Sequence, residues 1–279
     1  MQKHPASQAA KPHKPFLKWV GGKSRVLQHV TQRLPRGRRL VEPFVGGGAV
    51  FLGTDFEEYL LGDSNAHLIE LYQEVVHRRD AFIELAQTFF DENYRSSTSY
   101  ASVRAAFNKE PDSVTRSAQF LYLNKFGFNG LCRYNKAGAF NVPYGHPVRV
   151  PGFPLKEILA FSEKAKRATF TNDDFASVMK RAQAGDVVYC DPPYLDPDGA
   201  KCFTAYGANG FDLTRQQELA RLAKELALRG VPVVVSNHDC RAARELYAGA
   251  EIHAFSARRS ISGTSVRRGV VGELLAIFR

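Results

Sequence analysis

Four short apolar runs divide the chain, and each ends at a polar or Gly/Pro turn that a longer helix-like stretch follows. Residues that are apolar at consecutive positions predict strands buried on both faces, and their alternation with helices predicts a doubly wound α/β sheet. A further strand is expected at Thr169-Phe170, and a final one, Glu273 to Phe278, is expected to return to the sheet edge. The four runs with their turns are Leu40-Val41 before Glu42-Pro43-Phe44, Tyr59-Leu60-Leu61 before Gly62-Asp63, 186–190 before Asp191-Pro192-Pro193-Tyr194, and Val233-Val234-Val235 before Ser236-Asn237-His238.

The clearest helix is predicted to begin near Thr214, which forms a capping-box pattern with Gln217. Its apolar positions recur at helical spacing, and two helix-breaking residues close the pattern. These residues are Leu219, Leu222 and Leu226, followed by Gly230 and Pro232.

One region lacks this alternation of strands and helices. From about His67 to Pro154 the chain is helix-like and then carries a dense Gly/Asn/aromatic segment, Leu123 to Tyr144. We interpret residues 67–156 as a smaller, mainly helical domain inserted between the second and third strands of the sheet. Residues 1–66 and 157–279 then form the main domain, with 1–14 expected to be a mobile tail.

The charge balance indicates the kind of partner. Lys and Arg number 38 against 28 Asp and Glu, which gives the 279-residue chain a net charge of +10. Such a balance favours a polyanionic partner, with nucleic acid the first candidate. The alternative is a basic protein whose charge serves only solubility.

Several protein classes are disfavoured. No apolar stretch approaches the roughly 18–20 residues that span a bilayer, and the polar N-terminus lacks the apolar core of a signal peptide. The histidines, His238 among them, show no H-E-x-x-H spacing, so no metal site is predicted and His238 is interpreted as structural. The cysteines form no C-x-x-C pair, which argues against a zinc ribbon or a disulfide framework and favours a reduced cytoplasmic setting. They are Cys132, Cys190, Cys202 and Cys240.

A glycine-rich turn follows the first strand at Glu42 to Ala49. Consecutive glycines before a helix let the backbone approach a ligand closely, although they could also serve only packing. The G-x-G-x-x-G pattern of dinucleotide sites fails because Phe51 stands where the third glycine is needed. Asp63 ends the next strand, 17 residues after Gly46, where an acidic side chain suits ribose hydroxyls. A nucleoside cofactor without a pyrophosphate is therefore expected, and S-adenosylmethionine satisfies both conditions.

A second glycine cluster, Gly21-Gly22-Lys23-Ser24, resembles the end of a phosphate-binding P-loop. The first glycine of that motif would fall at Leu17, so the pattern fails and an ATPase is disfavoured.

The Asp191-Pro192-Pro193-Tyr194 turn follows a buried strand and is therefore expected at the carboxyl edge of the sheet, where ligands bind. An exocyclic amine needs two acceptors to hold both N–H bonds, and the Asp191 carboxylate and Pro192 carbonyl can supply them. Tyr194 offers a ring on which a base can stack. The alternative is a tight turn that merely ends the strand.

Together these motifs resemble bacterial DNA adenine-N6 methyltransferases of the Dam type, the D12 class, from about Pro15 to the C-terminus. That class places the cofactor motif before the target-recognition segment and the D-P-P-Y motif after it. The matching segments are Phe16 to Lys23, Glu42 to Phe51, Leu123 to Asn135, Phe140 to Gly145 and Ser236 to Asp239.

The resemblance implies a Rossmann-like S-adenosylmethionine-dependent methyltransferase sheet and a role for each matching residue. It implies a catalytic turn at Asp191, Pro192, Pro193 and Tyr194. It implies cofactor contacts from Trp19 beside the sulfonium or base, Lys23 near the methionine carboxylate, Phe44, Gly46, Gly48, Asp63 on the ribose, Asp174 and Phe175 at the adenine, and Asp191. It implies DNA contacts from Lys18, Phe128, Asn129, Leu131, Arg133, Asn135 and Pro143, with Arg133 suited to guanine O6 and N7 and Phe128 to the stack left by a flipped adenine.

The chain departs from the family pattern at three places. His146-Pro147 stands where close relatives often have a second basic residue, and Phe128 stands where tyrosine is frequent. The basic stretch Arg258 to Arg268 resembles the phosphate-facing loop of the family with a shortened middle; a solvated charged face is its alternative. These departures bear on the stringency of sequence recognition.

The expected reaction is methyl transfer from S-adenosylmethionine to adenine N6 in double-stranded DNA, within GATC, by a monomer in the bacterial cytoplasm associated with the nucleoid. An RNA-base or protein-amide methyltransferase is one alternative, and the recognition segment at Phe128 to Arg133 argues against it. A catalytically inactive DNA-binding relative is the other, and it would be expected to lack Asp191 or the glycine turn.

Overall fold

The structure is a computed structural model that describes residues 13–195, 211–258 and 270–279. Its strands are β1 (Arg39–Glu42), β2 (Glu58–Gly62), β3 (Ala168–Thr171), β4 (Asp186–Cys190), β5 (Val233–His238), β6 (Glu251–Arg258) and β7 (Val270–Phe278). Its α-helices are α1 (Leu27–Thr31), α2 (Ala49–Gly53), α3 (Ala66–His77), α4 (Arg79–Thr88), α5 (Ser97–Phe107), α6 (Ser113–Phe126), α7 (Leu155–Ala165), α8 (Phe175–Lys180), α9 (Leu213–Leu228) and α10 (Arg241–Leu246).

The seven strands of these ranges form one sheet in the order β3-β2-β1-β4-β5-β7-β6. The five strands from β3 to β5 run parallel, and β7 pairs antiparallel with both β5 and β6. The strand order reverses between β1 and β4, which is where ligands bind in open α/β sheets. The predicted doubly wound α/β fold is confirmed.

Side chains of successive strand residues enter two apolar cores, one on each face of the sheet. In β4, Val187 and Tyr189 belong to one core while Val188 and Cys190 belong to the other. Burial on both faces explains why the parallel strands read as continuous apolar runs and were predictable from the sequence.

The expectation that the last strand lies at the sheet edge is wrong. β7 begins at Val270 and lies between β5 and β6, so β6 forms the edge. β6 was missed because it carries polar residues such as Glu251 and His253 and remains partly exposed, so it shows no apolar run. An edge strand with a solvated face has this mixed pattern.

The predicted capping box at Thr214 is also wrong. Helix α9 begins at Leu213, and its N-cap is Asp212, whose Oδ1 accepts a hydrogen bond from the Arg215 amide at 2.9 Å. Aspartate is among the strongest N-cap residues, so it takes the position ahead of the threonine. The helix ends before Gly230, as expected, and that glycine has a φ of +75°.

Helices α3 to α7 lie in sequence between β2 and β3, where the insertion was expected. Helix α6 is buried around most of its circumference because α3, α4 and α5 pack on it. Apolar residues of these helices and of the sheet, such as Phe120 and Leu40, belong to the same core cluster. The division into two domains at 67–156 stays a prediction.

Three expectations fall outside the described residues. They concern most of the tail at 1–14, Cys202, and the basic loop from Arg259 to Arg268.

Candidate functional site

The carboxyl edge of the parallel strands gathers the chemistry-bearing residues predicted from the sequence. The glycine turn follows β1, Asp63 follows β2, and Asp191 follows β4. Because β1 lies between β2 and β4, all three segments meet at the same edge. The sheet topology therefore assembles residues that are far apart in sequence.

Asp191 is held by two donors from different elements. Its Oδ1 lies 2.6 Å from Lys23 Nζ and accepts a hydrogen bond of 2.9 Å from Ser236 Oγ. Tyr189 in turn donates its hydroxyl to Ser236 Oγ at 3.2 Å. The Asp191 side chain is 21% exposed and that of Lys23 only 7%. Both donors use Oδ1, and no donor among residues 13–195, 211–258 and 270–279 is bound to Oδ2, which can therefore accept from a substrate.

Tyr194 is fixed through its hydroxyl and its ring. The hydroxyl donates to Glu273 Oε2 at 3.2 Å, and the ring of His238 meets the tyrosine ring edge-on at 4.9 Å. Lys23 Nζ lies 4.7 Å from the ring centroid, within cation–π range. Burial raises the pKa of Tyr194, so its hydroxyl stays protonated. His238 has the structural position at a strand end that was expected.

The backbone of the turn is pinned as well. The Pro193 carbonyl accepts from Gln216 Nε2 at 2.7 Å, and the Leu195 amide donates to Asn237 Oδ1 at 2.9 Å. Pro192 is buried. The Asp191 to Tyr194 turn is thus a rigid part of the sheet edge.

The glycines of this turn have a packing role, and their contact with a ligand stays a prediction. Gly46 and Gly48 have φ of +47° and +72°, values that favour glycine. A Cβ at Gly46 would lie 2.8 Å from Trp19 Nε1, and one at Gly47 would lie 2.9 Å from Trp19 Cβ. The turn therefore needs glycine to pack against Trp19, in addition to any close approach of a ligand.

Asp63 is anchored to that turn. Its Oδ2 accepts from the Gly46 amide at 3.0 Å and its Oδ1 from the Asn65 amide at 2.9 Å. Burial raises the pKa of Asp63, and the two backbone hydrogen bonds oppose this rise. Each carboxylate oxygen keeps a second lone pair, so the side chain can still accept from ribose hydroxyls.

Phe44, Asp174 and Phe175 come together beside the glycine turn. The rings of Phe44 and Phe175 stack with centroids 5.3 Å apart. Asp174 caps α8 by accepting from the Ala176 amide and forms an ion pair with Arg215. The Arg215 guanidinium lies 4.4 Å over the Phe175 ring. Arg215 was not predicted, because a surface arginine in the first turn of a helix has no distinguishing local signal.

The predicted DNA contacts other than Lys18 lie on a separate segment, 127–144, which leaves the end of α6 and returns to it. Bridges join Gly127 to Tyr144 and Tyr134 to Phe140, so the segment is an irregular hairpin. The Phe128 side chain is 48% exposed.

The predicted DNA contacts on this segment differ in their solvent exposure and in their hydrogen bonds. Arg133 is exposed, and its Nε donates to Asn141 Oδ1 at 2.8 Å. Asn129 is exposed with a φ of +54°, and Pro143 is exposed. Leu131 is only partly exposed and packs against the core.

Two further predicted DNA contacts have structural partners in this structure. Asn135 Oδ1 accepts from the amides of Ala137 and Ala139 at 2.9 and 3.0 Å and so closes a turn. Lys18 Nζ donates to the Lys125 carbonyl at 2.8 Å, which brings the N-terminal motif against the end of α6.

The chain was compared with known proteins. Residues 19–261 match the family described as D12 class N6 adenine-specific DNA methyltransferase. The chain belongs to this family.

Curated relatives agree with that assignment. The chain is 47% identical over 270 residues to a DNA adenine methylase of Vibrio cholerae serotype O1, covering 96% of this chain and 97% of the relative. It is 45% identical over 269 residues to the DNA adenine methylase of Escherichia coli K12, covering 96% of each chain. It is 44% identical over 270 residues to that of Serratia marcescens, covering 96% of this chain and all of the relative.

Membership of the D12 class confirms the predicted resemblance and the expected activity, methylation of adenine in DNA. Within the described residues of this methyltransferase, no group of three or more His, Cys, Asp or Glu side chains could hold a metal ion. Nor does any helix of the described ranges have the length and apolarity to cross a membrane.

Contacts to the predicted residues reveal functional candidates that the motifs alone did not give. Ser236 was part of a matching segment but received no role, and it binds Asp191. Asn65 follows Asp63 closely and was not singled out. An asparagine at the start of a predicted helix indicates only an N-cap. The contacts of Asn65 with residues far away in the sequence could therefore not be predicted.

Proposed function

We propose that this D12-class enzyme transfers a methyl group from S-adenosylmethionine to N6 of the adenine in duplex GATC. The observation that supports it most strongly is the fixed Asp191 carboxylate at the sheet edge, with Oδ1 bound by Lys23 and Ser236. A carboxylate held in this way presents Oδ2 in a defined direction, as an acceptor for an exocyclic amine.

The residues around the glycine turn fit S-adenosylmethionine. Asp63 offers lone pairs for the ribose hydroxyls, and the Phe44–Phe175 stack offers an aromatic surface to an adenine ring. Asp174 lies next to that surface and would accept a hydrogen bond from the adenine amine. Trp19 packs on Gly46 and Gly47 and would border the bound molecule. When bound there, S-adenosylmethionine supplies the electrophilic methyl group.

Lys23 has two roles in this proposal. Its ammonium lies 2.6 Å from Asp191 Oδ1 and neutralises that carboxylate. A cofactor carboxylate would offer the same ammonium a second anionic partner. Because Lys23 is almost fully buried, it would remain close to both groups and would balance their charges.

Catalysis consists of holding the target amine. Oδ2 of Asp191 and the Pro192 carbonyl accept the two N–H bonds of adenine N6, which turns the nitrogen lone pair toward the methyl group. Tyr194 offers its ring for stacking on the base. The amine would attack the methyl carbon in line while the bond from that carbon to sulfur breaks, so S-adenosylhomocysteine would be the leaving group. The N6 proton would pass to solvent after the C–N bond has formed, when the nitrogen is positively charged. No strong base is needed, so positioning and electrostatics carry the rate enhancement.

The target adenine must leave the duplex to reach this edge. Exposed Phe128 is suited to fill the vacated stack, and Arg133 to bind O6 and N7 of the first guanine. Asn129, Leu131 and Pro143 would approach neighbouring base edges. Lys18 and Asn135 would help to hold the segment, since both already make internal hydrogen bonds.

The division into a sheet domain and an inserted DNA-reading domain at 67–156 belongs to the same proposal. So do action as a monomer and a place in the bacterial cytoplasm at the nucleoid, where the DNA substrate lies.

The experiment supplies tritiated-methyl S-adenosylmethionine with one of three acceptors: a duplex holding a single GATC, an RNA of the same sequence, or a glutamine-containing peptide. The account expects label in the DNA alone, recovered as N6-methyladenine after digestion to nucleosides. Label in RNA or peptide at a comparable rate would favour the alternative methyltransferases. The absence of label in all three would favour an inactive DNA-binding relative.

A further inference from the structure

A hydrogen-bond cluster at Asn65 joins the proposed cofactor side of the enzyme to segment 127–144, which we call the DNA-reading segment. The backbone amide of Asn65 donates to Asp63 Oδ1 at 2.9 Å. The Asn65 side chain donates from Nδ2 to Cys132 Sγ at 3.1 Å and accepts at Oδ1 from the Tyr134 hydroxyl at 3.4 Å. One residue thus contacts the ribose-binding candidate and two residues of the distant segment.

The two contacts on the segment flank the proposed guanine reader. Along an extended chain, alternate side chains point to opposite sides. Cys132 and Tyr134 turn inward to Asn65, while Arg133 between them is exposed. The direction of the arginine side chain therefore depends on how its two neighbours are held, together with the hydrogen bonds from its guanidinium group to Asn141.

The inner side of the cluster is closed by His67. Its Nδ1 lies 2.8 Å from the Tyr134 hydroxyl, and the two rings stack at 5.5 Å. Burial raises the pKa of the Cys132 thiol to about 11 and lowers the pKa of His67. The cluster is consequently uncharged near neutral pH, and its hydrogen bonds act in a partly desolvated environment.

Helix capping does not account for these contacts. As the N-cap of α3, Asn65 needs only its side-chain oxygen, which accepts from the Leu68 amide at 3.1 Å. Serine or aspartate would do the same. The side-chain nitrogen Nδ2, which donates to Cys132, is not needed for the cap.

We propose that Asn65 is a positioning residue that couples occupancy of the cofactor site to guanine recognition by Arg133. The proposal rests on the proposed function, since it takes Asp63 as the ribose ligand and Arg133 as the reader. A ligand that fixes Asp63 also fixes Asn65, and through Cys132 and Tyr134 it orders the backbone on both sides of Arg133. By reciprocity, the correct DNA sequence tightens the cofactor site by the same factor.

The test measures a coupling factor. Dissociation constants are determined for a GATC duplex and for one altered at the first guanine, each with and without saturating S-adenosylhomocysteine, which cannot donate a methyl group. The coupling factor is the tightening on GATC divided by the tightening on the altered duplex. We expect about 10 for the unchanged enzyme, within the usual range of coupling between sites.

The decisive variant is Asn65→Ser, which keeps a cap oxygen and the backbone donor to Asp63 but removes the carboxamide nitrogen. Its coupling factor should fall to about 2 or less. Tyr134→Phe keeps the ring stack on His67 and removes only the hydroxyl, so it should lower the factor in the same direction. Tyr134→Phe also tests the proposal if melting curves show that Asn65→Ser is unfolded.

Asn108→Ser is the matched control. Asn108 also anchors the segment, through hydrogen bonds of 3.1 and 2.8 Å to the backbone of Phe140, but it joins the segment to the end of α5. Its loss should weaken binding to both duplexes and leave the coupling factor unchanged.

The inference is overturned if the unchanged enzyme has a factor near 1. It is equally overturned if Asn65→Ser and Tyr134→Phe keep the original factor, or if Asn108→Ser loses as much as they do. These results would leave the proposed function intact provided that GATC is still methylated. Failure to methylate GATC at all would refute the proposed function itself.

Discussion

The sheet edge and the DNA-reading segment hold their functional side chains in opposite ways. At the sheet edge the carboxylates of Asp63 and Asp191 are each bound by two donors of the framework. On the segment the backbone is anchored and Phe128 is half-exposed, while Arg133 is exposed and held only by hydrogen bonds to Asn141 of the same segment. The same chain thus combines a preorganised site with an exposed one.

The proposed roles of the two regions account for the difference. Methyl transfer gains from groups whose positions are fixed before the reaction, because no reorganisation is then needed in the transition state. Base reading requires side chains that are accessible to the groove and that complete their hydrogen bonds only on DNA. Substitutions at the edge should therefore reduce the rate on every substrate, and substitutions on the segment should change the choice of substrate.

The largest effect is expected at Asp191. Asp191→Asn keeps the size of the side chain but loses one anionic acceptor, and turnover should fall by about 10²–10³. Asp191→Ala should be as inactive and also less heat-stable than Asp191→Asn, because the buried Lys23 ammonium loses its oxygen acceptor as well as the negative charge. Single-turnover rates and melting temperatures measure both effects. If Asp191→Asn keeps more than about a tenth of the rate, the assigned role is wrong.

Arg133→Ala should show the contrasting pattern. A bidentate guanine contact is worth about 1–3 kcal/mol at one base pair, so methylation of GATC should fall by roughly 5- to 150-fold. Duplexes altered at the first guanine should be affected much less. Exposed Lys136 on the same segment supplies the control variant Lys136→Ala. An equal loss on every duplex, with a salt slope reduced by about one, would instead make Arg133 a phosphate contact.

Asp63 should separate cofactor binding from DNA binding. Asp63→Asn replaces one acceptor by a donor that faces a backbone N–H, and the affinity for S-adenosylmethionine should fall by about tenfold. Binding to DNA without cofactor should change little. Asp55→Asn is the control, because Asp55 is exposed and paired with Arg167. Separate titrations measure the affinity of the variant for cofactor and for DNA. A loss of affinity for DNA alone would show that Asp63 is misassigned.

The smallest effect concerns a buried carboxyl behind the site. Glu42 is 2% exposed, and its Oε1 has no hydrogen-bond partner among the described residues. The pKa of Glu42 is raised well above the usual range, mainly by burial and to a smaller extent by repulsion from Asp191. Its contribution to stability is fully present below the unfolded pKa of about 4.3 and is lost as pH rises through the folded value.

Glu42→Gln removes this titration. The difference between the melting temperature of the variant and that of the unchanged enzyme should therefore shift by a few degrees in favour of the variant as pH rises from 5 to 8. Glu84→Gln, at an exposed position, should give a difference that does not vary with pH. A flat difference for Glu42→Gln would mean that the carboxyl ionises as readily in the folded enzyme as in the unfolded chain.

The sequence predicts the parts of this molecule that depend on local pattern. The central strands are apolar on consecutive residues because both faces are buried, so β1, β2, β4 and β5 were recognised. The half-exposed edge strand β6 has no such pattern, and its absence from the prediction placed β7 at the wrong position in the sheet.

The site divides in the same way. Motifs predicted the residues Asp63 and Asp191, but their partners depend on topology. Ser236 is 45 residues from Asp191, and Cys132 is 67 residues from Asn65, so those pairs become neighbours only once the strand order and the insertion are known.

The central claim is that the sheet edge methylates adenine and the exposed segment confines this to GATC. The most direct measurement treats unmethylated plasmid DNA with the enzyme and S-adenosylmethionine and then digests it with two restriction enzymes. One cuts only N6-methylated GATC and the other is blocked by that methyl group. The account predicts that the plasmid becomes fully sensitive to the enzyme that needs the methyl group and fully resistant to the enzyme that is blocked by it. Asp191→Asn should abolish this conversion, and Arg133→Ala should slow it. Methyl incorporation into the plasmid without any change in GATC cleavage would contradict it.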